Sequence, residues 1–167
     1  MDVIKFELGV YFDEDTGHGF RTIDIHINDR KFLDTVAEVE RENARRMGYD
    51  FGGEYAGLEA SPSFIAGDYF FGNKLSEQSK PIVWVWVLGC SCTLPECWGV
   101  QATIEANSEI VRWSDILNPW LINGLPFIWQ RKSPDDFVAF DYSSIAPFVF
   151  DMEQYDHALS DLRRSFG

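Results

Sequence analysis

Three cysteines are the residues in this chain whose type and spacing could do specific chemistry. Cys90, Cys92 and Cys97 are its whole complement, and all lie in the stretch Pro81 to Asp115, PIVWVWVLGCSCTLPECWGVQATIEANSEIVRWSD. Cys90 and Cys92 are one residue apart, so in an extended segment their side chains share a face. Cys97 follows a bend at Pro95 and can fold back towards them. Thiolates so placed can hold Zn²⁺, but a closed structural site takes four ligands. The fourth would come from His18, His26, His157 or a carboxylate, and paired CxxC knuckles are absent. The same three residues could instead form one disulfide with a free thiol left over, or act as small buried hydrophobes.

Other chemistry has less to stand on. None of the three histidines has a serine or cysteine at motif spacing, so no nucleophile–base pair can be named. Asp13, Glu14 and Asp15, and separately Asp135 and Asp136, are acidic clusters without the ligand spacing of an EF-hand loop. Neither GxGxxG nor GxxxxGK[ST] occurs, which removes the common phosphate cradles. The aromatics of the loops remain, and Tyr55, Phe71, Trp120 and Trp129 are candidate anchors for a protein partner, since Trp and Tyr are favoured at binding hot spots.

The totals narrow the classes. A length of 167 residues predicts a single domain, 1–167, long enough to bury about 70% of its unfolded surface without disulfides or metal. Fourteen basic against 27 acidic residues give a net charge of −13. That charge disfavours nucleic acid and anionic membranes, and favours a basic protein partner. No stretch approaches the ~20 apolar residues of a membrane span. The N-terminus, MDVIKFELGVYF, lacks the features of a signal peptide, and three cysteines cannot form a complete internal disulfide framework. A reducing cytoplasm is the expected compartment. The oligomeric state is left open.

The elements that must position these residues are legible in part. Ile4, Phe6, Leu8, Val10 and Phe12 alternate on one face of a strand, and Ile23, Ile25 and Ile27 on that of a second. An Asp/Gly-rich turn between them predicts an antiparallel hairpin. Asn28 or Asp29 is expected to cap a helix over 31–47, with Phe32, Leu33, Val36, Val39 and Met47 on one side and Gly48 just past its end. Glu42 is placed to pair with Arg45 or Arg46. Residues 49–80 read as a long loop packed by its own aromatics with one short helical turn, a candidate lid or partner surface. Ile82 to Leu88 is apolar on both sides, which predicts a central strand covered on both faces. Strands at 98–105 and 109–113 follow as a meander, then a loop-rich stretch at 114–136 and a short strand at 137–142. A last helix starts at the N-cap Asp151, with Gln154 completing a capping-box-like pair and Met152, Tyr155, Leu159, Leu162 and Phe166 as its apolar stripe. The predicted class is α+β: an antiparallel, meander-rich sheet of five to seven strands with two main amphipathic helices packed on it.

Two segments resemble an uncharacterised bacterial protein family. One is Gly89-Cys90-x-Cys92-x4-Cys97-Trp98, followed by Val111-x-Trp113-Ser114-Asp115. The other is Pro147-Phe148-x-Phe150-Asp151-x-x-Gln154-Tyr155-x-x-Ala158-Leu159. The Ile27-Asn28-Asp29 turn is also similar. The resemblance implies a small cytosolic bacterial protein and supplies no catalytic residue. The leading functional expectation is a non-enzymatic protein-binding module, immunity- or antitoxin-like, that covers a basic toxin. The alternative is a metal-binding or redox protein using Cys90, Cys92 and Cys97, with zinc the cofactor that such a site implies. A third reading is an enzyme with a pocket under the 49–80 loop, where Asp68 could serve.

Overall fold

The computed structural model describes residues 1–72, 83–95, 97–122 and 139–167. The predicted class holds: the fold is α+β, with helices packed on antiparallel sheets. The strands, however, divide into two four-stranded sheets. In the first, β1 (Ile4–Asp13) and β2 (His18–Ile27) form the hairpin, in register from Ile4↔Ile27 to Asp13↔His18. Short strands β3 (Arg30–Lys31) and β4 (Leu58–Glu59) both pair with β2. The second is a meander of β5 (Val83–Leu88), β6 (Val100–Ala106), β7 (Ile110–Leu117) and β8 (Phe148–Asp151). Among the described residues one isolated parallel bridge, Asp2↔Phe150, joins the two. Alternation within a strand is visible in sequence, whereas which distant strands pair is a tertiary matter, so the split could not be read.

Two helices cover these sheets. Helix α1 (Phe32–Arg46) packs on β2 and β3, and α4 (Met152–Phe166), which follows the single-turn helices α2 (Pro62–Ile65) and α3 (Pro119–Ile122), packs on β1, β7 and β8. Asn28 and Asp29 do not cap α1. Both adopt positive φ, 52° and 62°, as the two central residues of the turn between paired Ile27 and Arg30. That is the left-handed geometry of a type I′ hairpin, which Asn and Asp tolerate well. The N-cap is Lys31, without a side-chain cap bond. At the other end Gly48 takes φ 79°, its N–H donating to Arg45 O and that of Tyr49 to Ala44 O. This pair of bonds is the Schellman closure. Arg46 and Glu42 form the expected pair one turn apart.

Helix α4 begins as predicted, with Asp151 Oδ1 accepting the N–H of Gln154 at 3.0 Å. The Gln154 side chain does something else. Its Nε2 donates to Ile4 O at 2.7 Å and its Oε1 accepts from Ile4 N–H at 3.3 Å, so it pairs with the edge of β1 as a strand residue would.

Two strand expectations are corrected. Strand β5 lies at an end of its sheet, and Trp84 is 55% exposed while Val85, Val87 and Leu88 are buried. Among the described residues it is therefore an edge strand and not one covered on both faces. Ile82 lies outside the described residues. On β1, burial fades along the apolar face: Ile4 and Phe6 are buried, but Val10 is 75% and Phe12 60% exposed. Phe166, the last helical residue of α4, lies against Arg21, the cross-strand neighbour of Val10. The face runs on past the helix that covers it.

Between the layers, one cluster of buried side chains draws on both sheets and both long helices. Trp113 on β7 is its centre, edge-on to Phe32, Phe150 and Tyr155 and stacked 6.5 Å from Phe70. Its indole Nε1 donates to Tyr155 OH at 3.0 Å, and that hydroxyl donates to Phe70 O at 2.7 Å. The 49–72 part of the aromatic segment is therefore not a free lid. It contributes β4, α2 (Pro62–Ile65) and a 3₁₀ turn at Tyr69–Phe71, and it buries Phe51, Tyr55, Ile65, Phe70 and Phe71. Tyr155→Phe should leave Trp113 Nε1 and Phe70 O buried without their partner, a loss of about 1–3 kcal/mol. Denaturant unfolding checks this, and a loss within a few tenths would show that the hydroxyl does not hold the cluster.

Candidate metal centre and the polar core behind it

The cysteine loop spans the gap between β5 and β6, and its closure is tight. Thr93 N–H donates to Cys90 O at 3.0 Å and Cys97 N–H to Leu94 O at 3.1 Å, so two successive turns fold the chain back after Cys92. A Cβ on Gly99 would lie 2.4 Å from Pro95 O and 2.7 Å from Leu88 O, so only glycine lets the loop close there. Thr93 adopts φ 72°, a conformation that costs a β-branched residue energy and that folds retain mainly where surroundings impose it.

The result is the meeting expected of Cys90, Cys92 and Cys97. Their sulfurs all lie within 4.8 Å of one another. Cys90 is half-buried, and Cys92 and Cys97 are exposed. The Cys97 thiol is pushed up to about 11, first by its hydrogen bond to Cys92 and then by burial. Burial also acts to raise Cys92, but hydrogen bonds from the Leu94 backbone and from the Cys90 and Cys97 thiols outweigh it, and its pKa falls below the usual thiol value. Of these two, Cys92 therefore gives up its proton before Cys97.

No fourth ligand joins them among the described residues. His18 is exposed at the start of β2, His157 is exposed on α4, and His26 lies 3.4 Å from Glu7. Asp13 is occupied in the hairpin turn, accepting from Asp15 N–H. Glu96, Asp135 and Asp136 lie outside the described residues.

The four aromatic candidates for a partner surface separate. Trp120 is 41% exposed. Trp129 lies outside the described residues. Tyr55 and Phe71 are buried and cannot present themselves to a partner: Phe71 packs edge-on to Tyr155, and Tyr55 is held in a polar cluster that the sequence reading missed.

That cluster is built on Glu40, a fully buried carboxylate on α1. Glu40 accepts hydrogen bonds from Tyr55 OH at 2.6 Å, Tyr142 OH at 2.9 Å and Gly53 N–H at 2.9 Å. Asn118, also fully buried, donates to Tyr55 OH at 2.9 Å and accepts from Trp120 N–H. One turn along α1, Asn43 bonds both N–H and C=O of Asp141. The expected strand at 137–142 is thus, over its described part, an irregular segment held by α1 side chains. A periodic signal existed: Glu40 and Asn43 lie four residues after Val36 and Val39 respectively, on the helix's apolar side.

The cluster supports the cysteine loop directly. Gly53, at φ 74°, brings the chain so close to α1 that a Cβ would fall 2.3 Å from that of Ala37. Further on, Ala56 N–H donates to Gly89 O, next to Cys90. Tyr55 stacks on Trp98, next to Cys97, at 6.4 Å and 16° between planes. Both feet of the loop therefore rest on residues that Glu40 positions.

Two hollows bear on the enzyme reading. Asp68 lines a depression of about 500 Å³ with Arg163 as the other charged residue among the described ones, and Arg163 is spent on Ile65 O and Gly67 O. A cleft of about 510 Å³ carries Arg112, Asp115, Asp141 and Tyr142. It borders Ile122 and Phe140, near the ends of the undescribed residues 123–138. Compared with protein-family models, curated proteins and solved structures, the chain matches none.

Burial pushes Glu40 above its ordinary value of 4.5, and the bonds from Tyr55, Gly53 and Tyr142 only partly offset it. Between 4.5 and that raised value the folded state binds the extra proton, so the Glu40 contribution to stability falls as pH rises. The unfolding free energy of the native chain, measured against Glu40→Gln, should therefore decline with pH from about 4.5 upward and then level off. A pH-independent difference between the two would contradict this.

Proposed function

We propose that the protein binds Zn²⁺ through Cys90, Cys92 and Cys97. The observation that carries this reading is the meeting of the three sulfurs within 4.8 Å. Around a tetrahedral zinc with Zn–S of about 2.3 Å, sulfurs sit ~3.8 Å apart, so a small inward movement would complete the set. Thr93 with its left-handed backbone and the glycine-dependent closure at Gly99 support the reading, since both maintain a loop shape that brings the sulfurs together. Three protein ligands with two exposed sulfurs leave a fourth position for water or an outside ligand. Metal binding would draw the thiol protons off, because the thiolate is the ligand.

Protein purified without chelator or histidine tag should carry close to one equivalent of zinc, and Co²⁺ in its place should give a thiolate-to-metal charge-transfer band. Cys92→Ser should lose both. Less than about a tenth of an equivalent, with no cobalt band, would refute the assignment. A disulfide found by mass spectrometry in protein prepared under reducing conditions would favour redox use of the same cysteines.

A second reading, a binding module for a basic protein of the immunity or antitoxin kind, is supported by the net charge of −13 and by exposed Trp120. It predicts a stoichiometric basic partner recovered at low salt and weakened by Trp120→Ala. Recovery of none would count against it.

A further inference from the structure

We infer that β1 is a dimer edge, on which a second copy of the chain adds its own β1 antiparallel about a two-fold axis at Gly9. Val3 O accepts from Asn28 N–H across the hairpin, while both backbone groups of Ile4 turn outward to Gln154. By the alternation of an antiparallel pair, the N–H and C=O groups of Phe6, Leu8, Val10 and Phe12 also point away from β2. Among the described residues no backbone hydrogen bond to this edge is found beyond the hairpin's own. A long apolar edge with Val10 and Phe12 exposed is a template for strand addition.

Register follows from parity and charge. Outward groups must face outward groups, which restricts the two-fold axis to a residue position. Centring on Leu8 sets Phe12 against Ile4, whose backbone is already taken by Gln154. Centring on Val10 sets Glu7 opposite Asp13, like against like. Centring on Gly9 sets Lys5 opposite Asp13, Leu8 opposite Val10 and Phe6 opposite Phe12. A groove of about 370 Å³ runs beside Phe6, lined also by Ile4, Gln154, His157 and Ala158. Exposed Phe12 of the second copy arrives at that groove. The two-fold axis makes each contact twice, as an isologous interface requires. The −13 charge of each copy opposes association, but beyond about 8 Å it is largely screened at 0.15 M salt.

Sedimentation equilibrium at about 0.15 M salt, from micromolar to millimolar subunit, should show a monomer–dimer equilibrium. Val10→Lys and Phe12→Lys, both at exposed positions, should each weaken it roughly tenfold or more. Glu7→Cys combined with Tyr11→Cys should give, on mild oxidation, a 7–11 link between copies. Directly opposed residues of a non-hydrogen-bonded pair lie about 4.5 Å apart at Cα, whereas 7 and 11 of one strand are ~13 Å apart. Mass spectrometry of the linked peptides reads it amid the native cysteines. A monomer at every concentration overturns the inference and would leave this edge to a strand of another protein. A dimer that survives both lysine substitutions without a 7–11 link also overturns it.

Discussion

The buried carboxylate of Glu40 is the constraint on which much of the rest depends. A carboxylate without water must be met by donors, because an unpaired buried charge costs several kcal/mol. Here the donors are Tyr55, Tyr142 and the amide of Gly53, from segments otherwise without long regular structure. Two irregular stretches of chain are thereby tied to one turn of α1. The arrangement has little slack, since Gly53 approaches Ala37 at a distance that excludes any side chain.

From that anchor the order passes outward to the cysteines. Tyr55 supports Trp98, and Ala56 holds Gly89. The loop between β5 and β6 is thus braced at both ends before any ligand is considered. This separates the roles of the two aromatic sets. Tyr55, Phe71 and Trp98 are internal supports, and among the described residues exposed rings lie elsewhere, at Phe12, Trp84 and Trp120. The sulfurs have their bracing beneath them, while the exposed Val10 and Phe12 lie at the far end of a hairpin.

The second anchor is aromatic. Trp113, Tyr155 and the carbonyl of Phe70 form a short hydrogen-bonded chain through the centre of the core. It links β7 to α4 and to the 3₁₀ turn. Apolar packing there is non-directional, whereas the Tyr155 hydroxyl selects one arrangement of three elements. Gln154, the preceding residue, fixes the same helix to β1 by bonding the strand's backbone. Two adjacent residues of α4 thus join the two sheets that hydrogen bonding between strands leaves almost unconnected.

Local physics made several features readable from residues alone. The period-two face of β1, the Asp151 cap and the Schellman glycine at 48 are each decided within a few residues, and they stand where expected. The proximity of Cys90, Cys92 and Cys97 was legible because a one-residue spacing and a proline bend are short-range facts. Only the tertiary structure decided that the strands form two sheets, that β5 is an edge and that Val10 and Phe12 lie beyond the cover of α4. Each depends on which distant segment lies alongside, and periodicity carries no information about that. Asn28 and Asp29 show the same limit at short range: their composition suits a helix cap and a type I′ turn equally, and pairing of β3 with β2 chose the turn. Glu40 was hidden for a related reason. A carboxylate on an apolar stripe reads as an interruption until its donors, 13 to 102 residues away in sequence, are brought to it by the fold.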